Sequence, residues 1–302
     1  MSLLNKLIVT TLPLVPKPIV GKFSKRYIAG ITLAQAVRVI KDLNGKGMMA
    51  TLDILGEDVF ERPAAEALRA EWPRVLDAIR SQELDSNISI KPSQLGLRID
   101  KEFCYRNFKS IVEEAAARKN FVRIDMEDST TTTDTLAIFR RLRAEGFTNV
   151  GVVLQASMRR SEEDVQSLVK EKANFRLCKG IYVEPAAIAF QGKEEVRNNF
   201  MLLLQLMLDQ GSYVGIATHD EWLVDQASSL IQKRGLTPEQ YEFQMLLGVR
   251  EGLRDSIQKG GHRLRVYVPY GDQWYAYSVR RLKENPQIAG YAFKALFSGN
   301  HH

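Results

Sequence analysis

Near the end of the chain, the stretch RVYVPYGDQWYAYSVRRLKENP (residues 265–286) places two arginines side by side, Arg280 and Arg281. After the turn at Tyr270-Gly271 the pattern is helical. Tyr277, Arg280, Arg281 and Glu284 follow i, i+3, i+4, i+7 spacing, so they share one face. Guanidiniums this close repel each other, and an anion between them relieves the repulsion. A small carboxylate suits them, gripped through charge-assisted, bidentate bonds while Glu284 steadies one arginine. Most charge runs are solvated stripes; closeness to a strand end makes this one read as a lid over a site. Tyr267 and Tyr277 are candidates for that site, and Tyr270 and Tyr275 for packing.

The other candidates sit at or near the ends of apolar runs. Lys91 lies in ISIKP, Asp125 follows FVRI, and Gln155 ends VGVVLQ. Arg176, Lys179 and Tyr182 occur in and after FRLCKG, while Thr218, His219 and Asp220 follow VGIA. Gln244 belongs to YEFQML and Tyr267 to LRVYVP. An ionisable group in an apolar strand is costly unless paired or liganded, and a series of them is hard to assign to structure alone. Arg176 and Lys179 stand three apart, so one can point inward while the other reaches the loop. Gly180 suits close approach of backbone to a ligand. The set offers cations for a carboxylate and donors for a large polar cofactor. There is no Ser-His-Asp or Cys-His motif and no metal-ligand spacing, so a cofactor is expected to supply the chemistry and no metal is expected. A Schiff-base enzyme of aldolase type, using Lys91 or Lys179, and an amino-acid-binding barrel without chemistry stay open on the residues alone.

Eight β-rich runs position these groups: 48–55, 88–92, 121–127, 150–156, 175–180, 214–219, 241–246 and 264–269. Helix-patterned stretches separate them, and successive runs start 23 to 40 residues apart. That spacing suits strand–loop–helix units rather than hairpins. Ser161 with Asp164 resembles a capping box before one helix. The fold class expected is α/β, a distorted TIM-like (β/α)8 barrel with an N-terminal helical arm, its site at the C-terminal ends of the strands. A doubly wound sheet would want a G-x-G-x-x-G turn, and the sequence has none. The chain accordingly divides into an arm (1–45), a catalytic barrel (46–298) and a tag-like tail (299–302).

A hydrophobic share of 45% and a charged share of 26% fit a soluble globular protein. The formal charge of +6 favours anionic partners. Nucleic acid is not expected, because no basic run with interleaved aromatics accompanies the charge. Two cysteines, Cys104 and Cys178, make no disulfide framework and fit a reducing cytoplasm. No stretch approaches the roughly 18 apolar residues of a membrane span. Up to Lys41 there are seven basic residues and no acidic one, so the arm can lie on an anionic membrane surface.

With IDMEDS (124–129), RLCKGIY (176–182), ATHD (217–220), YEFQMLLG (241–248) and the 265–286 stretch in place, the sequence resembles the FAD-dependent proline dehydrogenases (proline oxidases) of the short monofunctional bacterial type. The resemblance covers roughly residues 45–295. It implies a distorted barrel holding FAD. It implies oxidation of L-proline to Δ1-pyrroline-5-carboxylate by hydride transfer to flavin N5, the first step of proline catabolism, with a membrane quinone as electron acceptor. Lys91, Arg280 and Arg281 would hold the proline carboxylate. Asp125, Tyr182, Leu246, Tyr267 and Tyr277 would complete the pocket, with Lys91, Asp125, Arg280 and Arg281 as its catalytic group. Gln155, Arg176, Cys178, Lys179, Gly180, Thr218, His219, Gln244 and Glu284 would lie on the cofactor side. Cys178 and Val183 depart from the family pattern, which more often has Val and an aromatic there. Tyr267 stands where loss of the tyrosine goes with acceptance of hydroxyproline, so proline is the expected substrate. The resemblance also implies a cytoplasmic protein, peripheral on the inner face of the cell membrane, with a pyrroline-5-carboxylate dehydrogenase as partner. A methylenetetrahydrofolate reductase-like barrel is the alternative among flavin enzymes.

Overall fold

Along each β-rich run, apolar residues alternate with polar or small ones, and that alternation decides which side of a curved sheet each side chain meets. The computed structural model describes residues 20–21, 24–56 and 58–284, the last five by backbone alone. Eight parallel strands follow one another around a closed barrel: β1 (Met49–Ile54), β2 (Ser86–Ile90), β3 (Val122–Ile124), β4 (Val150–Gln155), β5 (Phe175–Cys178), β6 (Val214–Ala217), β7 (Tyr241–Leu246) and β8 (Leu264–Tyr270). β8 returns to β1, with Thr51 opposite Tyr267 and Asp53 opposite Pro269.

The helices wrap the outside: α1 (Leu33–Asn44), α2 (Arg62–Ser81), α3 (Lys101–Ala117), α4 (Ser129–Ala144), α5 (Ser161–Leu168), α6 (Lys193–Asp209), α7 (Glu221–Arg234), α8 (Glu251–Lys259) and α9 (Trp274–Glu284). The apolar core lies between sheet and helices. Every strand contributes a fully buried residue to it: Leu52, Ile90, Ile124, Val152, Phe175, Ile216, Phe243 and Val266. α1 begins at a capping box between Thr32 and Gln35 and buries Ala36, Ile40 and Leu43. The segment before it runs along the end of β8, where Ala29 N–H donates to Pro269 O at 2.9 Å.

Local chemistry moves some boundaries from those expected. β2 stops at Ile90, because Pro92 lacks an N–H and opens a 3₁₀ turn, Pro92–Leu95. β3 stops at Ile124, although Asp125 N–H still reaches Ile90 O at 2.9 Å. The capping box at Ser161 does not form. That residue is buried, its hydroxyl donates to Gln155 O at 2.6 Å, and Arg160 holds the cap position. Residues 1–19 of the arm and the tail (299–302) lie outside the described residues.

Candidate active site

The inward residues of the strands are mostly polar, and a hydrogen-bonded chain of them runs along the barrel axis. At the N-terminal end Arg265 donates from Nε to Glu242 Oε1 at 2.7 Å and from Nη1 to Ala50 O at 2.7 Å. Tyr213 donates to the other Glu242 oxygen at 2.8 Å. Gln244 donates to Glu242 Oε1 at 2.6 Å and accepts from Arg176 Nε at 2.5 Å. Arg176 Nη1 then donates to Asp125 Oδ1 at 2.7 Å and to Ser89 Oγ at 3.1 Å. Tyr267 donates to Asp125 Oδ2 at 3.0 Å, and the Arg176 guanidinium stands 5.3 Å from its ring centroid. Lys91 completes the chain, 3.4 Å from Tyr267 Oη and 2.7 Å from Asp53 Oδ1. Gly215 on β6 makes room for this arrangement, since a Cβ there would collide with the Gln244 amide.

The charges are matched along the way. Burial works against ionising Glu242, but Arg265, Tyr213 and Gln244 outweigh it and hold its carboxyl below the ordinary value. At the mouth, burial pushes Asp53 up to about 6 against the pull of Lys91. For Lys91, burial disfavours the ammonium, yet the charges of Asp53 and Asp125 prevail and hold it above its ordinary value. The Tyr267 phenol is driven well upward by burial and by Asp125, so it remains a hydrogen-bond donor.

Lys91 also lines a cavity of about 330 Å³ at the C-terminal end of the barrel, together with Glu127, Tyr182 and Tyr277. Asp125, Arg176, Gln244 and Tyr267, all expected at the site, thus join Lys91 on the axis beneath this cavity. Leu246 ends β7, and its N–H donates to His219 Nε2 at 2.8 Å. Arg280, Arg281 and Glu284 belong to the last turns of α9, and their side chains lie outside the described residues.

The remaining expected residues occupy the β4–β6 side. Gln155 donates to Glu127 O at 2.7 Å. Lys179 reaches Asp220 at 3.3 Å, and Arg197 grips the same carboxylate at 2.7 and 3.0 Å. Burial opposes ionisation of Asp220, but Arg197 and Lys179 win and hold its carboxyl at about 2. Thr218 Oγ1 accepts from Asp220 N–H at 3.1 Å. Gly180 has φ +101°, and a Cβ there would strike Ser157 Oγ. Cys178 Sγ lies 3.6 Å from Leu154 O, and burial pushes its thiol up to about 11.

Five members of the network are missing from the sequence-based candidates: Asp53, Ser89, Tyr213, Glu242 and Arg265. Asp53 is inconspicuous in the sequence because β1 ends in apolar residues. The available signal was an acid between Leu52 and Ile54, which on a strand points away from both. The same holds for Glu242 between Tyr241 and Phe243.

Comparison with known proteins agrees with this architecture. Proline dehydrogenase 1 of Bacillus subtilis (strain 168) is 36% identical over 273 residues, 90% of each chain. Proline dehydrogenase of Deinococcus radiodurans is 33% identical over 280 residues, 91% of this chain and 90% of its own. Among solved structures, proline utilization A (PutA) from Bdellovibrio bacteriovorus, inactivated by N-propargylglycine, superposes with a TM-score of 0.82 at 25% identity, covering 92% of this chain and 34% of that one. The chain therefore spans about a third of that larger protein. The Proline dehydrogenase family profile matches residues 36–292, nearly the whole barrel with α1, and the chain belongs to the proline dehydrogenase family.

Proposed function

We propose that the chain oxidises L-proline to Δ1-pyrroline-5-carboxylate with FAD as hydride acceptor and a quinone as the final acceptor. The observation that carries this reading is the Lys91 ammonium, held at the floor of the mouth cavity by Asp53 at 2.7 Å and lined up with Tyr267. A fixed cation beside phenols suits a small ring carboxylate, and Arg280 and Arg281 on α9 are the second grip. Positioning supplies much of the rate, since a carboxylate held at one end leaves the ring little freedom. Asp125 and Tyr267 steady one another and form the polar wall beside Lys91. Tyr182 and Tyr277 narrow the cavity and exclude water. The proline nitrogen must be neutral when the C5 hydride leaves, because an ammonium has no lone pair to stabilise the forming imine.

The β4–β6 side fits a flavin. Donors Gln155, Arg176 and Lys179 lie beside a loop whose Ile181 is 43% and Val183 fully exposed, apolar surface for a large planar group with polar edges. FAD, when bound, supplies the acceptor for the hydride at N5. A Schiff-base role for Lys91 is disfavoured, since such a lysine needs a lowered pKa and this one is held charged. No helix among the described residues is long and apolar enough to cross a membrane, so contact with a membrane quinone is assigned to the surface and the basic arm. A pyrroline-5-carboxylate dehydrogenase is the expected consumer of the product.

The test is anaerobic titration of the purified protein. A yellow protein bleached by L-proline is expected; a colourless one, or one bleached by NADH and not by proline, overturns the assignment.

A further inference from the structure

We propose that Asp53 is a positioning residue: it fixes the Lys91 ammonium at the cavity floor, so that one N–H of Lys91 stays aimed at the substrate's carboxylate. The inference rests on the proposed proline oxidation and deepens it. Asp53 is 1% exposed near the end of β1, and among the described residues Lys91 is the one cation within ion-pair distance of it. A lysine has a flexible four-carbon stem and three donors, so its position must be imposed from outside. Asp53 takes one N–H at 2.7 Å. A second faces Tyr267 Oη at 3.4 Å and Asp125 Oδ2 at 3.9 Å. The tetrahedral ammonium keeps a third for the cavity it lines.

Without Asp53, the nearest carboxylate to Lys91 is Asp125, already engaged by Arg176, Ser89 and Tyr267. The lysine would swing toward it or into the cavity. The titratable groups facing Asp53 are Lys91 beyond β2, Asp125 beyond β3, and Tyr267 and Tyr270 on β8. Burial raises the Asp53 carboxyl to about 6. Above that pH the pair with Lys91 is ionised; below it Asp53 takes up a proton and the tie weakens.

The experiment compares wild type, Asp53→Asn, Asp53→Glu, Lys91→Met and the double variant Asp53→Asn/Lys91→Met. Each is titrated by calorimetry with tetrahydrofuran-2-carboxylate, a ring carboxylate lacking the amine, and assayed for kcat and KM with L-proline. Asp53→Asn is expected to weaken binding about tenfold at pH 7.5, raise KM by the same factor and lower kcat by less than about threefold, the loss of one charge-assisted contact. Asp53→Glu recovers most of the affinity. Wild-type affinity falls as pH drops through about 6, and that fall is absent from Asp53→Asn. In the Lys91→Met background Asp53→Asn adds less than about twofold, because its target is gone. Wild-type affinity and pH profile in Asp53→Asn, or a full tenfold effect without Lys91, would overturn the proposal. Should Asp53→Asn not fold, Asp53→Glu with and without Lys91→Met reads the same coupling, and additive effects overturn it. A wild-type protein that binds the ring carboxylate but leaves L-proline unoxidised would instead sink the proposed activity.

Discussion

Replacing Glu242 by Gln should be among the most damaging single changes in the barrel, though Glu242 lies far from the mouth. The carboxylate is 2% exposed and faces the Arg265 guanidinium at 2.7 Å, itself 9% exposed. Gln keeps the shape and some hydrogen bonding but removes the charge that compensates Arg265. Breaking a buried pair in this way costs about 3–5 kcal/mol, chiefly because the surviving charge is left without a counterion. Set against a total stability of about 5–15 kcal/mol, that is a large fraction. Urea unfolding followed by tryptophan fluorescence measures it, with the fully buried Trp72 as the natural reporter. The pH dependence has a definite sign. The folded Glu242 carboxyl titrates below its ordinary value of 4.5, so its contribution is present above that pH and fades as pH falls through the lowered folded value. The gap between wild type and variant should therefore close in acid. Removing both charges, as Glu242→Leu with Arg265→Met, should recover at least half of the loss. A single variant within about 1 kcal/mol of wild type, or a double variant worse than the single, refutes the account of the pair.

Tyr267→Phe deletes the phenol shared by Asp125 and Lys91, and kcat/KM for L-proline should fall about tenfold; unchanged steady-state kinetics would remove Tyr267 from the site. Gly180→Ala forces a side chain onto φ +101° and against Ser157 Oγ, a strain of about 1–2 kcal/mol before the collision is counted; thermal midpoint and bound flavin per chain should both drop. Arg280→Met and Arg281→Met should each raise KM for proline more than about tenfold with a smaller change in kcat, and wild-type kinetics in both would end the idea of a double-arginine grip. A chain lacking residues 1–19 should lose flotation with anionic liposomes, and equal flotation would take the arm out of the pathway to quinone.

The barrel was legible because its units are local: each apolar run and each following amphipathic helix announces itself over a few turns. The mouth was legible in part because Lys91, Asp125 and Lys179 stand just past apolar runs, where a charge has no structural excuse. The axis was harder. The family resemblance puts Arg176 on the cofactor side, and in the fold it also spans the barrel to Asp125 and Gln244. Those partners lie on strands that only closure brings together, and no local pattern encodes closure. Asp53 and Glu242 were within reach, because alternation in LDI and YEF already places each acid on the opposite side from its apolar neighbours. Ser161 looks like a cap in sequence, but its buried hydroxyl answers to Gln155 O and the residue opens the helix instead of capping it.

The unbroken polar chain from Arg265 to Asp53 also bears on how such a sequence can change over generations. On the outer face of the sheet, Ile, Leu and Val can replace one another for less than about 1.5 kcal/mol, so those positions drift freely one at a time. On the axis each charged residue answers to an oppositely charged partner, and a lone replacement of one strands the other. Positions 242 and 265 should therefore change together or not at all, and so should 125 and 176. Pairs that vary in step across homologous sequences would trace the barrel's inner lining without any coordinates, while the conspicuously hydrophobic positions would carry the weaker record.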